Sequence, residues 1–252
     1  MKIVVIGTGY VGLVSGACFA ELGTVVTCVD INKNKILLLK NGIMPIYENN
    51  LEELVTKNVK AGRMFFSDKI EQEIKKADII FIAVGTPPKK DGSADLSYVF
   101  DVAKTIANNA KNGVVVVTKS TVPVGTNNKI AQKINKENAK LKFEVVSNPE
   151  FLREGSAIID FMKPDRVVIG AESKQSFEKV ASLYNNIKNV KVYIGPSAKN
   201  CCYTVDQAFK DKLNASNLDK EIIKWLRKHS MLLIFFILES KLNFLFLLIL
   251  RL

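Results

Sequence analysis

Gly7, Gly9 and Gly12 stand in the run Gly7-Thr8-Gly9-Tyr10-Val11-Gly12, the spacing at which a backbone can wrap a pyrophosphate, and Asp30 follows 18 residues after the third glycine. Gly7 permits a tight turn, Gly9 lets the backbone approach the phosphates, and Gly12 allows a helix to pack closely on a strand. The phosphates would face the N-terminus of the helix that follows, where unpaired amides favour anions. Asp30 would accept hydrogen bonds from the adenosine ribose hydroxyls and repel a 2'-phosphate, so the cofactor implied is NAD rather than NADP. Lys35, one turn into the next helix, is placed to hold the adenosine end, although a solvated surface lysine fits the position equally well.

Two further segments place hydroxyls after apolar runs: Val84-Gly85-Thr86-Pro87-Pro88 and Lys119-Ser120-Thr121-Val122-Pro123. Asn148-Pro149-Glu150-Phe151-Leu152-Arg153-Glu154-Gly155 follows a third such run and brings two carboxylates into one short segment. His229 is the single histidine. Chemistry in the first 224 residues therefore has no Ser-His-Asp or Cys-His pair and no histidine metal cluster, and its acids and bases must be Glu, Asp, Lys or water. Glu150 and Glu154 are the candidates, against the plainer reading of a salt-bridged surface turn.

These residues need a scaffold that delivers them to one edge. The apolar runs Lys2–Ile6, 25–29, 64–67, 79–84, 114–118, 143–146, 167–169 and 190–194, mostly β-branched or aromatic, predict strands. Helical spacing is read over 13–22, 34–40, 50–60, 69–76, 96–110, 126–136 and 175–185. Alternating strand and helix implies an α/β, Rossmann-like, doubly wound and mostly parallel sheet. In such sheets ligands bind beyond the C-terminal ends of the strands, where the glycine run, Thr86, Thr121 and the glutamate segment all fall.

Composition limits the alternatives. With 252 residues, 48% of them apolar, the chain can bury a core, and its 14 glycines and 7 prolines exclude collagen-like and low-complexity classes. Four cysteines, at 18, 28, 201 and 202, suit neither a disulfide framework nor a zinc site, so no metal is expected. Together with an N-terminus that lacks a signal-peptide pattern, they point to the cytoplasm. The formal charge of +11 arises from scattered lysines without interleaved aromatics, which argues against nucleic acid and suits an acidic substrate such as a nucleotide diphosphate.

The ordered set GTGYVG, VGTPP, KSTVP, SNPEFLREGSAI and PDRVVIG resembles the UDP-glucose/GDP-mannose dehydrogenase family continuously over residues 1 to about 195. The resemblance implies a two-step oxidation of a nucleotide sugar's primary alcohol to a carboxylate, using two NAD and, for UDP-glucose, giving UDP-glucuronate. It implies that Tyr10, Val11, Asp30, Lys35, Thr86, Thr121 and Glu154 lie with the three glycines on NAD. Glu150, Phe151, Leu152, Arg153 and Glu154 would lie on the substrate, with Lys224 beside it. Thr121, Glu150, Glu154 and Lys224 form the implied catalytic set. Full-length members of the family are expected to be homo-oligomers. GDP-mannose and N-acetylated UDP-sugars stay open as substrates, and so do a catalytically silent NAD-binding module and a membrane-tethered interaction protein.

The chain changes character after Pro196: its last 56 residues contain neither Gly nor Pro. The expected organisation is a cofactor domain over 1–195, a linker over 196–224 and an apolar tail over 225–252. Met231–Leu250 is apolar at 16 of 20 positions, but Glu239-Ser240-Lys241 and Asn243 split it into runs too short to span a bilayer. The family carries its second-step cysteine in a glycine-rich FGGxCxPKD loop, which this sequence lacks, and Cys201-Cys202 has none of that loop's flanking residues. The codons of Trp225–Leu232, read from their third bases, can spell Ala-Ser-x-Ala-Phe-x-Ala-Thr, the family's continuation after the lysine matched by Lys224. The tail is therefore expected to be out-of-frame translation, and the chain truncated and deficient in the full reaction.

Overall fold

The computed structural model describes residues 1–188, 190 and 192–196. They fall within one compact unit, Met1–Val205. The expected linker and tail, with Lys224, Cys201 and Cys202, lie outside the described residues.

Among the described residues eight strands form one sheet: β1 (Lys2–Ile6), β2 (Val25–Val29), β3 (Met64–Ser67), β4 (Ile79–Ile82), β5 (Val114–Thr118), β6 (Phe143–Ser147), β7 (Val167–Ala171) and β8 (Val192–Pro196), in the order β3-β2-β1-β4-β5-β6-β7-β8. The helices are α1 (Tyr10–Glu21), α2 (Lys33–Lys40), α3 (Leu51–Lys60), α4 (Ile70–Lys76), α5 (Ser97–Asn109), α6 (Thr126–Glu137), α7 (Ala157–Met162) and α8 (Lys174–Ala181). The central strands carry no alternating polar positions because both faces are covered, as in IIFI of β4 and VVVVT of β5, buried along their whole length.

One core gathers α1, α3, α7 and α8 with Ile3, Val5, Phe81 and Val117 on one sheet face. The other packs α4, α5 and α6 on Val4, Ile6, Ile80 and Val116. Alternate residues of each strand thus serve opposite cores. Phe19 of α1 anchors the first core, its ring 5.0 Å from Phe81, 5.0 Å from Phe161 of α7 and 5.4 Å from Tyr184.

The sheet is parallel from β3 through β6, and β7 then pairs antiparallel with β6 at Ser147 and Gly170. The chain leaves β6 at the C-terminal edge and does not recross the sheet before β7. The connection 148–166, which holds the two glutamates and α7, therefore stays on that edge. The strand order reverses between β1 and β4, placing the crevice of the doubly wound fold directly after Ile6 and Ile82.

Helix α1 begins three residues before the predicted Leu13, because Gly12 is taken into its first turn. The six-residue α7, too short to show a period, was outside the predicted set.

Candidate functional site

Gly7 closes the turn after β1 at φ +106°, and a Cβ there would stand 2.5 Å from the Ala83 carbonyl oxygen at the end of β4. A Cβ on Gly12 would reach within 2.0 Å of the Gly7 carbonyl oxygen. Both glycines are therefore demanded by close backbone approach. Gly9 has no atom within 4 Å of the place its Cβ would take, and it is the N-cap of α1 without a side-chain cap. The N-terminus of α1 thus has no side-chain cap and has open space beside Gly9, the setting in which first-turn amides can take a phosphate.

Asp30 sits at the end of β2 beside this turn. Its Oδ2 accepts from the Thr8 amide at 2.8 Å and the Thr8 hydroxyl at 2.7 Å, and its Oδ1 accepts from the Asn32 amide at 2.9 Å. Partial burial works to raise its pKa, but the bonds from Asn32 and Thr8 and the charge of Lys35 outweigh it and hold the carboxyl below its ordinary value. Three of about four acceptor positions are filled, leaving room for a ribose hydroxyl. The half-buried Lys35 donates its own amide to Asn32 Oδ1 at 3.1 Å. Thr8, fully buried, was not among the predicted residues; its signal is its place inside the glycine run.

Thr86 and Thr121 follow the adjacent strands β4 and β5, and the Thr86 hydroxyl donates to the Thr121 carbonyl at 3.0 Å. Glu150 is half-buried and accepts from the Leu152 amide at 2.6 Å, while Glu154 is exposed. Arg153 is forked on Asp160, at 3.0 and 2.7 Å, which holds the Asp160 carboxyl below its ordinary value. The Phe151 ring lies 4.8 Å from the Arg166 guanidinium, Leu152 packs on the core, and Val11 is half-buried against it. Phe151, Arg153 and Glu154 thus lie on the exposed side of the segment.

Two buried polar groups beneath the segment escaped sequence reasoning. Asn148, 1% exposed, accepts from Lys119 Nζ at 3.2 Å and from the Tyr184 hydroxyl at 2.5 Å, and donates to the Val168 carbonyl at 2.9 Å. It ties the root of the segment to β5 and β7. Lys119 is 4% exposed with Nζ 5.6 Å from the centre of the Phe161 ring, and burial pushes its pKa down to about 8, against the opposing pull of Glu150. Burial also pushes the Cys18 and Cys28 thiols up to about 12, which makes them poor nucleophiles. The second group is Glu48, which bonds to Tyr10, Gly155 and Ala157. Among the described residues there is no group of three or more potential metal ligands, and no helix long and apolar enough to cross a membrane.

Residues 1–188 match the NAD binding domain of the UDP-glucose/GDP-mannose dehydrogenase family. The chain belongs to this family. Within it, the chain is 54% identical over 173 residues to a UDP-glucose 6-dehydrogenase of Rhizobium meliloti (strain 1021), covering 68% of this chain and 40% of that protein. A Bacillus subtilis (strain 168) UDP-glucose 6-dehydrogenase is 54% identical over 185 residues, 73% of this chain and 40% of its own length. A UDP-glucose dehydrogenase structure from Pyrobaculum islandicum superposes with a TM-score of 0.76 at 38% identity, covering 82% of this chain and 49% of that one. The GDP-mannose dehydrogenase of Pseudomonas aeruginosa follows with a TM-score of 0.75 at 30% identity, covering 92% and 58%. The match to this dehydrogenase family thus spans about 40% of the curated relatives' length.

Proposed function

We propose that the chain carries the cofactor-binding half of an NAD-dependent nucleotide-sugar dehydrogenase whose substrate is UDP-glucose, oxidised at its primary alcohol to UDP-glucuronate. The observation that carries this reading is the glutamate segment 150–155, tied by hydrogen bonds to the first turn of α1, so that groups for binding a dinucleotide and groups for moving protons share one edge. When bound, NAD supplies the hydride acceptor.

In this reading the amides of α1 take the pyrophosphate and Asp30 takes the adenosine ribose, with Lys35 at the adenosine end. NAD is preferred to NADP because a 2'-phosphate would meet the Asp30 carboxylate. Tyr10, Val11, Thr86, Thr121 and Glu154 complete the cofactor side. Thr121 and Glu150 position water and pass the alcohol proton on, and Glu150 to Glu154 together present the sugar nucleotide. Lys224, in the proposed 196–224 linker, acts beside the substrate.

The test pairs two preparations. The 252-residue chain is expected to bind NAD without sustained NADH formation, since its sequence holds no FGGxCxPKD segment to supply the cysteine of the second oxidation. A chain continued after Lys224 in the frame that can spell Ala-Ser-x-Ala-Phe-x-Ala-Thr is expected to reduce two NAD per UDP-glucose, and GDP-mannose poorly. Preference for GDP-mannose, or sustained turnover by the 252-residue chain, would overturn the assignment.

A further inference from the structure

Glu48 lies between α2 and α3, with no neighbour in sequence that marks it for a role, and is only 6% exposed. No ion pair among the described residues includes it. Its carboxylate accepts instead from three donors distant in the chain: the Tyr10 hydroxyl and the Gly155 amide (2.7 Å) on Oε2, and the Ala157 amide (3.0 Å) on Oε1. Burying a carboxylate without a cation is costly unless its oxygens are satisfied, and here neutral donors satisfy them. The next residue, Asn49, reaches the other side of the same loop, donating from Nδ2 to the Gly155 carbonyl at 2.8 Å. Gly155 holds φ +83°, a conformation fixed by these long-range bonds.

Tyr10 completes the clamp. It is the first residue of α1, directly after the Gly9 cap, and its hydroxyl meets both the Arg153 carbonyl (3.3 Å) and the Gly155 amide (3.1 Å). Burial, the bond to Glu48 and the nearby carboxylates push its pKa up, so it stays a protonated donor. The side of α1 that faces a pyrophosphate and the loop that carries Glu150 and Glu154 are thus joined through one buried carboxylate.

We propose that Glu48 is a positioning residue that, through Tyr10, locks the 150–157 segment to the first turn of α1 and transmits cofactor binding to it. The proposal rests on the reading of the glycine turn as an NAD site. A ligand that orders the first turn of α1 then orders the segment, a coupling between two places that share a rigid contact.

The test is amide hydrogen exchange of the 252-residue chain, with and without NAD, alongside a calorimetric NAD titration. In the unsubstituted chain, exchange over 150–157 should be slow, and slower with NAD. Glu48→Gln keeps the shape but turns an amide NH2 toward the Gly155 or Ala157 N–H, so exchange over 150–157 should quicken by roughly tenfold or more. The protection added by NAD should vanish there, and by reciprocity NAD should bind more weakly by about the factor of protection it adds to 150–157 in the unsubstituted chain. Tyr10→Phe, which removes only a hydroxyl, should lose the NAD-added protection with a smaller effect in its absence. A purely structural role would quicken exchange in several elements and leave the NAD-added protection of 150–157 in place. That result, or unchanged exchange in Glu48→Gln, overturns the proposal. If NAD gives neither heat nor protection at residues 7–12 in the unsubstituted chain, the NAD reading and the transmission fall together, and ligand-free exchange still decides the lock.

Discussion

Asp30 has a structural role and, in the proposed reading, a role in recognition. It fixes the glycine turn through Thr8 and the following turn through Asn32, and keeps an acceptor position that the proposal assigns to a ribose hydroxyl. Asp30→Ala is expected to weaken NAD by about tenfold or more, the worth of one charge-assisted hydrogen bond, and to bring the NAD and NADP affinities together in calorimetry. Lys119 makes a pH prediction with a definite sign. Its folded pKa of about 8 lies below the roughly 10.4 of an unfolded lysine, so below pH 8 both states carry the charge and its burial opposes folding in full. From about pH 8 to about 10 the unfolded chain holds the extra proton, and stability rises with pH. Lys119→Met removes this dependence, so its Tm minus that of the unsubstituted chain should fall as pH is raised from 7 to 10. A difference that is flat or grows with pH would refute the assignment.

At the scale of elements, the strand–turn–helix from Lys2 to Glu21 stands or falls on two glycines. Gly12→Ala drives a methyl into the Gly7 carbonyl, and denaturant unfolding should show a loss of about 1–3 kcal/mol or more, with NAD binding lost because the α1 amides are displaced. This unit was legible in the sequence because each level agreed: β-branched run, glycine spacing, then small and apolar residues. The start of α1 was read three residues late because Gly12 looks like turn rather than helix when its contact with Gly7 is unseen. The direction of β7 was not legible, since an apolar run reports burial and not polarity. Helix α7 has too few residues to display a period. Glu48 and Asn148 escaped for another reason: their partners lie far along the chain, Gly155 and Ala157 for the first and Lys119, Val168 and Tyr184 for the second.

For the molecule as a whole, the one antiparallel step among the described strands, between β6 and β7, decides which loops share an edge. Because β7 starts from the edge at which β6 ends, the glutamate segment lies on the same side as the glycine turn, Thr86 and Thr121. In the family's NAD binding domain the glycine turn and the 150–157 loop thus share one edge, joined through Glu48 and Tyr10. In the proposed reading this edge takes NAD and rejects a 2'-phosphate. It is tested most directly by titrating the 252-residue chain with NAD and with NADP in a calorimeter. One NAD should bind per chain, with NADP weaker by at least about tenfold, some 1.4 kcal/mol. Absence of NAD binding, or NADP bound as tightly as NAD, would contradict it.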